Sequence, residues 1–138
     1  MKRNHLIFAG LLVTLLFFMA SCEKIGKKPS LIGQWEVIKL EVFVYNGEDL
    51  VSQDTYPSEF FLMEFKDNGT LTIFYDENDL TDNAVTNWSH TTDPVEEGDH
   101  IDIEGDDVTI EALTERTLIF SVWESATDLL KFTLKKVE

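Results

Sequence analysis

Apolar and polar residues alternate through most of the chain after residue 30. Leu118, Phe120 and Val122 share one side of an extended segment, with Thr117 and Ser121 on the other. A period of two is typical of β-strands with one buried face, because successive side chains of a strand point to opposite sides. The pattern predicts eight strands, at residues 33–44, 58–66, 70–76, 85–91, 99–104, 107–113, 117–123 and 128–136.

The connections between these strands are short. Asp67-Asn68-Gly69 lies between two apolar runs, and an Asn-Gly in that position predicts a hairpin. The longest connection, Tyr45 to Ser58, is predicted to be a loop, and Asp79 to Val85 has room for one helical turn. Short links favour antiparallel pairing of consecutive strands. We therefore expect an all-β fold, an antiparallel eight-stranded up-and-down barrel, with a β-sandwich as the alternative.

The first 21 residues have the pattern of an export leader. Lys2 and Arg3 precede an apolar run from Leu6 to Met19, and the small residues Ala20 and Ser21 follow it. A helix of 14 residues reaches about 21 Å, whereas the hydrocarbon core of a membrane is roughly 30 Å thick. A cleaved leader is therefore favoured over a membrane-spanning helix.

Cys22 is the only cysteine of the chain, so it has no intramolecular disulfide partner. Met19-Ala20-Ser21-Cys22 resembles the lipobox of bacterial lipoproteins, which implies removal of residues 1–21 and acylation of Cys22. The alternative is an incidental thiol after an ordinary leader. Residues 22–30 contain Gly, Pro and three lysines and are predicted to tether the anchor to the domain at residues 31–138. We expect an outer-membrane lipoprotein, on the periplasmic or the cell-surface face.

The charge of the chain is strongly negative. A length of 138 residues is that of one domain, and the net charge is -15. Residues 31–138 hold six basic and 25 acidic residues, a net charge of −19. Attraction to nucleic acid by charge is excluded, and so is attraction of the domain to an anionic membrane.

The acidic residues suggest a cation site, but their spacing argues against one. Residues 67–115 contain 15 acidic residues and no Lys or Arg, most densely at Asp76-Glu77-Asn78-Asp79 and Asp82. Calcium takes six to eight oxygens, yet Leu80 stands where an EF-hand loop needs a polar ligand. A solvated acidic surface is favoured, and neither a metal nor a cofactor is predicted.

No catalytic residue is predicted. Ser89 and His90 are neighbours in a predicted strand and therefore point to opposite faces, so they cannot act as nucleophile and base. The chain also has no Gly-x-Ser-x-Gly or His-Glu-x-x-His motif. An enzyme ranks below a binding protein on this evidence.

Gly33-Gln34-Trp35 opens the first strand and resembles the start of lipocalins and of the short lipocalin-like lipoproteins of Bacteroidota. The order of later segments strengthens the resemblance, which covers Leu31 to Val137. It implies a barrel whose closed end holds Trp35 beneath a basic residue from a late strand, either Lys131 or Arg116. The segments concerned are 64–71, 87–89, 113–120 and 130–136.

The resemblance implies a small apolar ligand, because in such barrels the loop between the first two strands lies over the open mouth. The alternative is a filled barrel whose acidic face binds a basic envelope protein. Ile119 and Trp123 belong either to the core or to an outward apolar patch that binds a partner or lines the mouth. The predicted ligand-binding residues are Tyr45, Leu50, Val51, Tyr56, Phe61 and Phe74.

Overall fold

The computed structural model describes residues 28–57, 61–91 and 94–138. Cys22 and the predicted leader lie outside the described residues. Nine β-strands account for most of the described chain, and their hydrogen-bonded ladders follow the alternating sequence pattern. The strands are β1 (Gly33–Asn46), β2 (Asp49–Pro57), β3 (Leu62–Phe65), β4 (Thr70–Phe74), β5 (Asn83–His90), β6 (His100–Ile103), β7 (Asp106–Leu113), β8 (Thr117–Trp123) and β9 (Asp128–Lys136).

The strands form one antiparallel sheet that closes on itself. Strands β3 to β9 pair in chain order, and β1 pairs with β3 on one edge and with β9 on the other. Eight strands therefore make a closed up-and-down barrel, lipocalin-like in architecture, and β2 is an additional strand on β1. The predicted fold class is confirmed, and the closure excludes the sandwich. A barrel of eight strands has an interior just wide enough for side chains or one small ligand.

The predicted strand faces agree with the pairing register. Phe120 pairs with Phe132, and Leu118 with Leu134, so the four side chains point into the barrel together. Three register shifts interrupt the ladders, at Val37/Lys39 and Val44/Tyr45 in β1 and at Ile110/Ala112 in β7. The bulge at Glu111 in β7 adds one residue between Ile110 and Ala112 of the ladder. A bulge of this kind allows apolar residues three positions apart to face the same side.

The most completely buried side chains lie towards one end of the barrel. Side chains that are completely or nearly inaccessible to solvent fill this end, which we call the closed end. The links β3–β4, β5–β6 and β7–β8 and the start of β1 lie there. The fully buried large side chains are Trp35, Phe65, Leu71, Ile101, Ile110, Leu118 and Leu134.

The sequence-based prediction of a loop between Tyr45 and Ser58 is wrong. Residues Asp49–Pro57 form β2, which pairs with β1 from Lys39 to Asn46 and makes a long hairpin with it. Every residue of β2 is exposed to solvent. A strand with no buried face has no apolar–polar alternation to reveal it, which explains the error.

The segment between β4 and β5 contains no helical turn. It consists of tight turns in which aspartates accept hydrogen bonds from the backbone two residues ahead: the Asp76 carboxylate from the Asn78 N–H at 2.8 Å, and the Asp79 carboxylate from the Thr81 N–H at 3.0 Å. Such side-chain bonds compete with helix formation. A search of the described residues finds no helix with the length and apolarity needed to span a membrane.

Candidate ligand-binding cavity

The closed end is built around Trp35. The Trp35 indole donates a hydrogen bond to the Leu31 carbonyl at 2.8 Å, and the Lys136 ammonium lies 4.3 Å from the centre of the Trp35 ring. The ammonium also donates to the Ile32 carbonyl at 2.6 Å, and burial lowers the pKa of Lys136. The basic residue over Trp35 is thus Lys136, and the two candidates from the resemblance, Lys131 and Arg116, do not fill this role.

The contact between Lys136 and Trp35 explains why residue 33 is a glycine. Its φ angle is +127°, which side-chain-bearing residues rarely adopt, and a Cβ atom there would lie 2.6 Å from the Lys136 Nζ atom. Glycine therefore admits the Lys136 side chain to the Trp35 ring. The Gly-x-Trp motif serves the packing of the closed end.

The opposite half of the barrel contains an apolar cavity. Its volume is about 300 Å³, at the lower limit of ordinary ligand pockets. Seven of the eight barrel strands or their ends contribute side chains to it. The lining residues are Val37, Phe61, Met63, Ile73, Tyr75, Ile103, Asp106, Val108, Phe120, Val122 and Phe132.

Aromatic side chains shape this cavity. Phe120 and Phe132 stack on one wall with ring centres 5.0 Å apart. Phe61 and Tyr75 meet edge to face at 5.7 Å, and Tyr75 is largely exposed, which places this pair at the mouth. Asp106 pairs with Ile103 in the β6–β7 ladder, so its side chain is on the inner face of the barrel. Among the described residues that line the cavity it is the only charged one, and the others are apolar apart from the Tyr75 phenol.

The structure brings only one of the six predicted ligand residues into the cavity lining. Phe61 lines the cavity. Phe74 pairs with Leu62, out of phase with the inward pair Met63 and Ile73, and so is on the outer face. The other four lie on the β1–β2 hairpin and do not line the cavity: Tyr45, Leu50, Val51 and Tyr56.

The remaining lining residues follow from a signal that the sequence already contains. They are the inward-facing residues near the mouth end of each strand, such as Val122 at the end of β8 and Val108 near the start of β7. Antiparallel order assigns the mouth to the ends of β4, β6 and β8 and to the starts of β5, β7 and β9. Combining the inward face with the strand direction would have identified them.

Comparisons with known proteins identify no relative. No protein family, curated protein or solved structure matches this chain. The chemistry of the site is therefore argued from its own residues.

The outer wall beside the cavity has polar and apolar contacts of its own. Lys131 of β9 forms an ion pair with Glu111 at 2.6 Å across β8. This contact raises the pKa of Lys131. Burial opposes ionisation of Glu111, but its hydrogen bonds with Lys131 and Ser121 outweigh burial and lower its pKa. Trp123 lies on the same wall, nearer the mouth. The centre of its ring is 5.5 Å from that of Tyr45, and Trp123 is 54% exposed, so it belongs to an outward patch and not to the core.

Three further grooves lie on the outer surface of the closed end. One, of about 400 Å³, is lined by Asp67, Asn68, Ser89 and His90 among others. Another, of about 520 Å³, lies beside Arg116 and residues 135–138. The third, of about 260 Å³, lies beside Lys28 and Glu96. None of the three has walls as apolar as those of the barrel cavity.

The described residues offer little geometry for catalysis or metal binding. His100, Asp107 and Thr109 form the group that most resembles a triad, but the Asp107 carboxylate at 3.0 Å and the Thr109 hydroxyl at 3.5 Å both contact the His100 Nδ1 atom. A proton relay needs the acid and the nucleophile on different ring nitrogens. Within the three described stretches, no group of His, Cys, Asp and Glu is placed to hold a metal ion.

Proposed function

We propose that this protein is a lipid-anchored cell-envelope protein whose barrel binds a small apolar molecule. The observation that carries the proposal is the apolar cavity of about 300 Å³ in the mouth half of the barrel. Transfer of apolar surface from water into such a cavity is favourable by roughly 25 cal/mol per Å². The cavity walls belong to strands of a closed sheet, so the site is largely formed before a ligand enters.

The proposed anchor is compatible with access to the cavity. The described chain enters the barrel at the closed end, where Lys28 forms an ion pair with Glu96. Five residues lie between Cys22 and Lys28, and an extended chain spans at most about 3.6 Å per residue. An acyl group at Cys22 would hold the closed end near the membrane and leave the mouth facing away from it.

Acylation is tested by labelling growing cells with an alkyne fatty acid. We expect label on the wild-type protein, and we expect the Cys22→Ser variant to lose both the label and its place in the membrane fraction. Labelled Cys22→Ser protein would contradict the anchor.

Ligand binding is tested with the full chain reconstituted in zwitterionic phosphatidylcholine vesicles. The probe is a neutral naphthylamine dye whose fluorescence rises in apolar surroundings. Val122→Trp fills the cavity from β8, and Ile119→Trp adds the same ring to the outer face of that strand. We expect saturable uptake by the wild type and Ile119→Trp, and only the vesicle background for Val122→Trp. Equal signals from all three proteins would refute the proposed function.

A basic protein partner is a second candidate function. It is favoured by the acidic turns around the mouth and by the exposed Trp123 on the patch beside them. Attraction of this kind weakens as salt rises. Binding to a defined basic peptide that disappears at about 0.5 M salt, and that Trp123→Ser weakens, would support this candidate. Uptake of a neutral apolar probe should hardly depend on salt.

A further inference from the structure

The mouth of the barrel is surrounded by acidic turns. Four turns surround the mouth, at residues 46–49, 75–83, 103–107 and 124–128, and they contain no lysine or arginine. They carry eleven carboxylates: Glu48, Asp49, Asp76, Glu77, Asp79, Asp82, Glu104, Asp106, Asp107, Glu124 and Asp128.

The basic residues are placed where they cannot neutralise this rim. Five of the seven in the described chain lie at the closed end: Lys28, Lys66, Arg116, Lys135 and Lys136. The other two lie on the outer wall, where Lys39 pairs with Glu41 at 3.3 Å and Lys131 with Glu111 at 2.6 Å. A ligand with a negative head group would therefore meet like charges at the mouth and no described cation to accept it.

Asp106 places one of these charges at the mouth of the cavity, where its side chain is exposed to solvent. Its side chain shares the inner face with Ile103 and Val108, and none of the described lysines or arginines pairs with it. Tyr75 lines the same cavity at the mouth, and its ring offers a face to a cation. The site thus combines apolar walls below with a carboxylate and a phenol ring at the rim.

We propose that the cavity selects a cationic amphiphile, an amine or quaternary ammonium compound whose apolar part fills the cavity while its charged head pairs with Asp106. This inference rests on the proposed function and adds the class of ligand. A free fatty acid of the same length is disfavoured, because its carboxylate would lie beside that of Asp106. A neutral alcohol of the same length makes the apolar contacts alone, so its affinity should lie between those of the amine and the fatty acid.

The test compares octylamine, octanol and octanoate as competitors of the neutral dye, with the full chain in phosphatidylcholine vesicles and the Val122→Trp signal subtracted. Because Asp106 is exposed to solvent, an ion pair with it is worth up to about fivefold in affinity, and repulsion of a carboxylate adds a similar factor. We expect octylamine to compete about tenfold better than octanoate, with octanol between them. Butylamine has the charge without the apolar length and should not compete.

Two variants of one turn separate the role of Asp106 from the general acidity of the rim. Asp106→Asn should reduce the affinity for octylamine about three- to fivefold and leave octanol unchanged. Asp107→Asn removes a charge one residue away, on the outer face, and should change octylamine binding less than twofold. Equal losses in both variants, or octanoate binding as well as octylamine, would overturn the selectivity and leave apolar binding intact. Failure of all three octyl compounds to displace the dye would also overturn the inference, and absence of dye uptake would remove the proposed function itself.

Discussion

The two ends of this barrel are made from the same eight strands and differ in what fills them. At the closed end, Trp35, Leu118 and Leu134 have no accessible surface, and the indole N–H groups of Trp35 and Trp88 both donate to backbone carbonyls. At the mouth end, the side chains that point inward leave a cavity of about 300 Å³. The closed end buries its apolar surface, whereas at the mouth end part of the apolar surface lines a cavity.

This difference separates stability from binding. Burial of apolar groups without voids stabilises a fold, and a cavity removes part of that stabilisation. The strands around the mouth are held mainly by the ladder and by contacts on the outer wall, such as Glu111 with Lys131 and Tyr45 with Trp123. Substitutions should therefore lower the free energy of unfolding most at the closed end and affect ligand uptake most at the mouth.

The strongest test of this division replaces one tryptophan at each end. Trp35→Ala removes a fully buried ring and leaves a void, and we expect it to lower the free energy of unfolding by about 3–5 kcal/mol. Trp123→Ala removes a ring that is 54% exposed, and we expect a loss of about 1 kcal/mol from its contact with Tyr45. Urea denaturation of the full chain measures both. Similar losses in the two variants would show that the closed end does not contribute more to stability than the mouth.

A smaller effect is expected at Gly33, where the closed end depends on the absence of a side chain. Gly33→Ala strains a backbone at positive φ and forces the Lys136 ammonium away from the Trp35 ring, so we expect a loss of about 2 kcal/mol. Gly47→Ala at the hairpin turn also has a positive φ, of +65°, but a Cβ atom there meets nothing within 4 Å. Its expected loss is about 1 kcal/mol, from strain alone.

A double-mutant cycle isolates the contact with Lys136. When Lys136→Ala is already present, Gly33→Ala should cost only about as much as Gly47→Ala, because the displaced ammonium is gone. Strictly additive losses for Gly33→Ala and Lys136→Ala would show that the close approach of Lys136 has no energetic weight.

The sequence predicted the barrel strands better than the exposed hairpin, for a physical reason. Buried strands must alternate, so the faces of β8 and β9 could be read from Leu118, Phe120, Leu130 and Phe132. β2 is exposed on both faces, so its residues do not have to alternate between apolar and polar. The basic partner of Trp35 was also beyond prediction, since the approach of Lys136 depends on how the last strand ends beside Gly33.

The ion pair on the outer wall should contribute less than the closed-end contacts. Glu111 and Lys131 are both partly exposed, so we expect a coupling energy of about 0.5–1 kcal/mol in a cycle with Glu111→Gln and Lys131→Met. The lowered pKa of Glu111 makes its contribution complete above pH 4.5 and lost as the pH falls through the folded-state pKa. The raised pKa of Lys131 makes its contribution complete below pH 10.5 and lost as the pH rises through the folded-state value. Unfolding free energies measured as a function of pH should show the full coupling between these limits and a decline beyond each of them, and a coupling that grows as the pH falls below 4.5 would contradict the assignment.

The smallest expected effect on stability is on β2, where the sequence had predicted ligand contacts. Leu50 is 50% exposed and lies on the hairpin outside the cavity lining, so Leu50→Ser should change the free energy of unfolding by less than about 0.5 kcal/mol. It should also leave uptake of the neutral dye unchanged, whereas Phe61→Ala at the cavity mouth should weaken it severalfold. Both variants are measured in the same vesicles against the Val122→Trp background. Loss of uptake in Leu50→Ser would mean that the hairpin folds over the mouth when a ligand enters, and the binding region would then include β2.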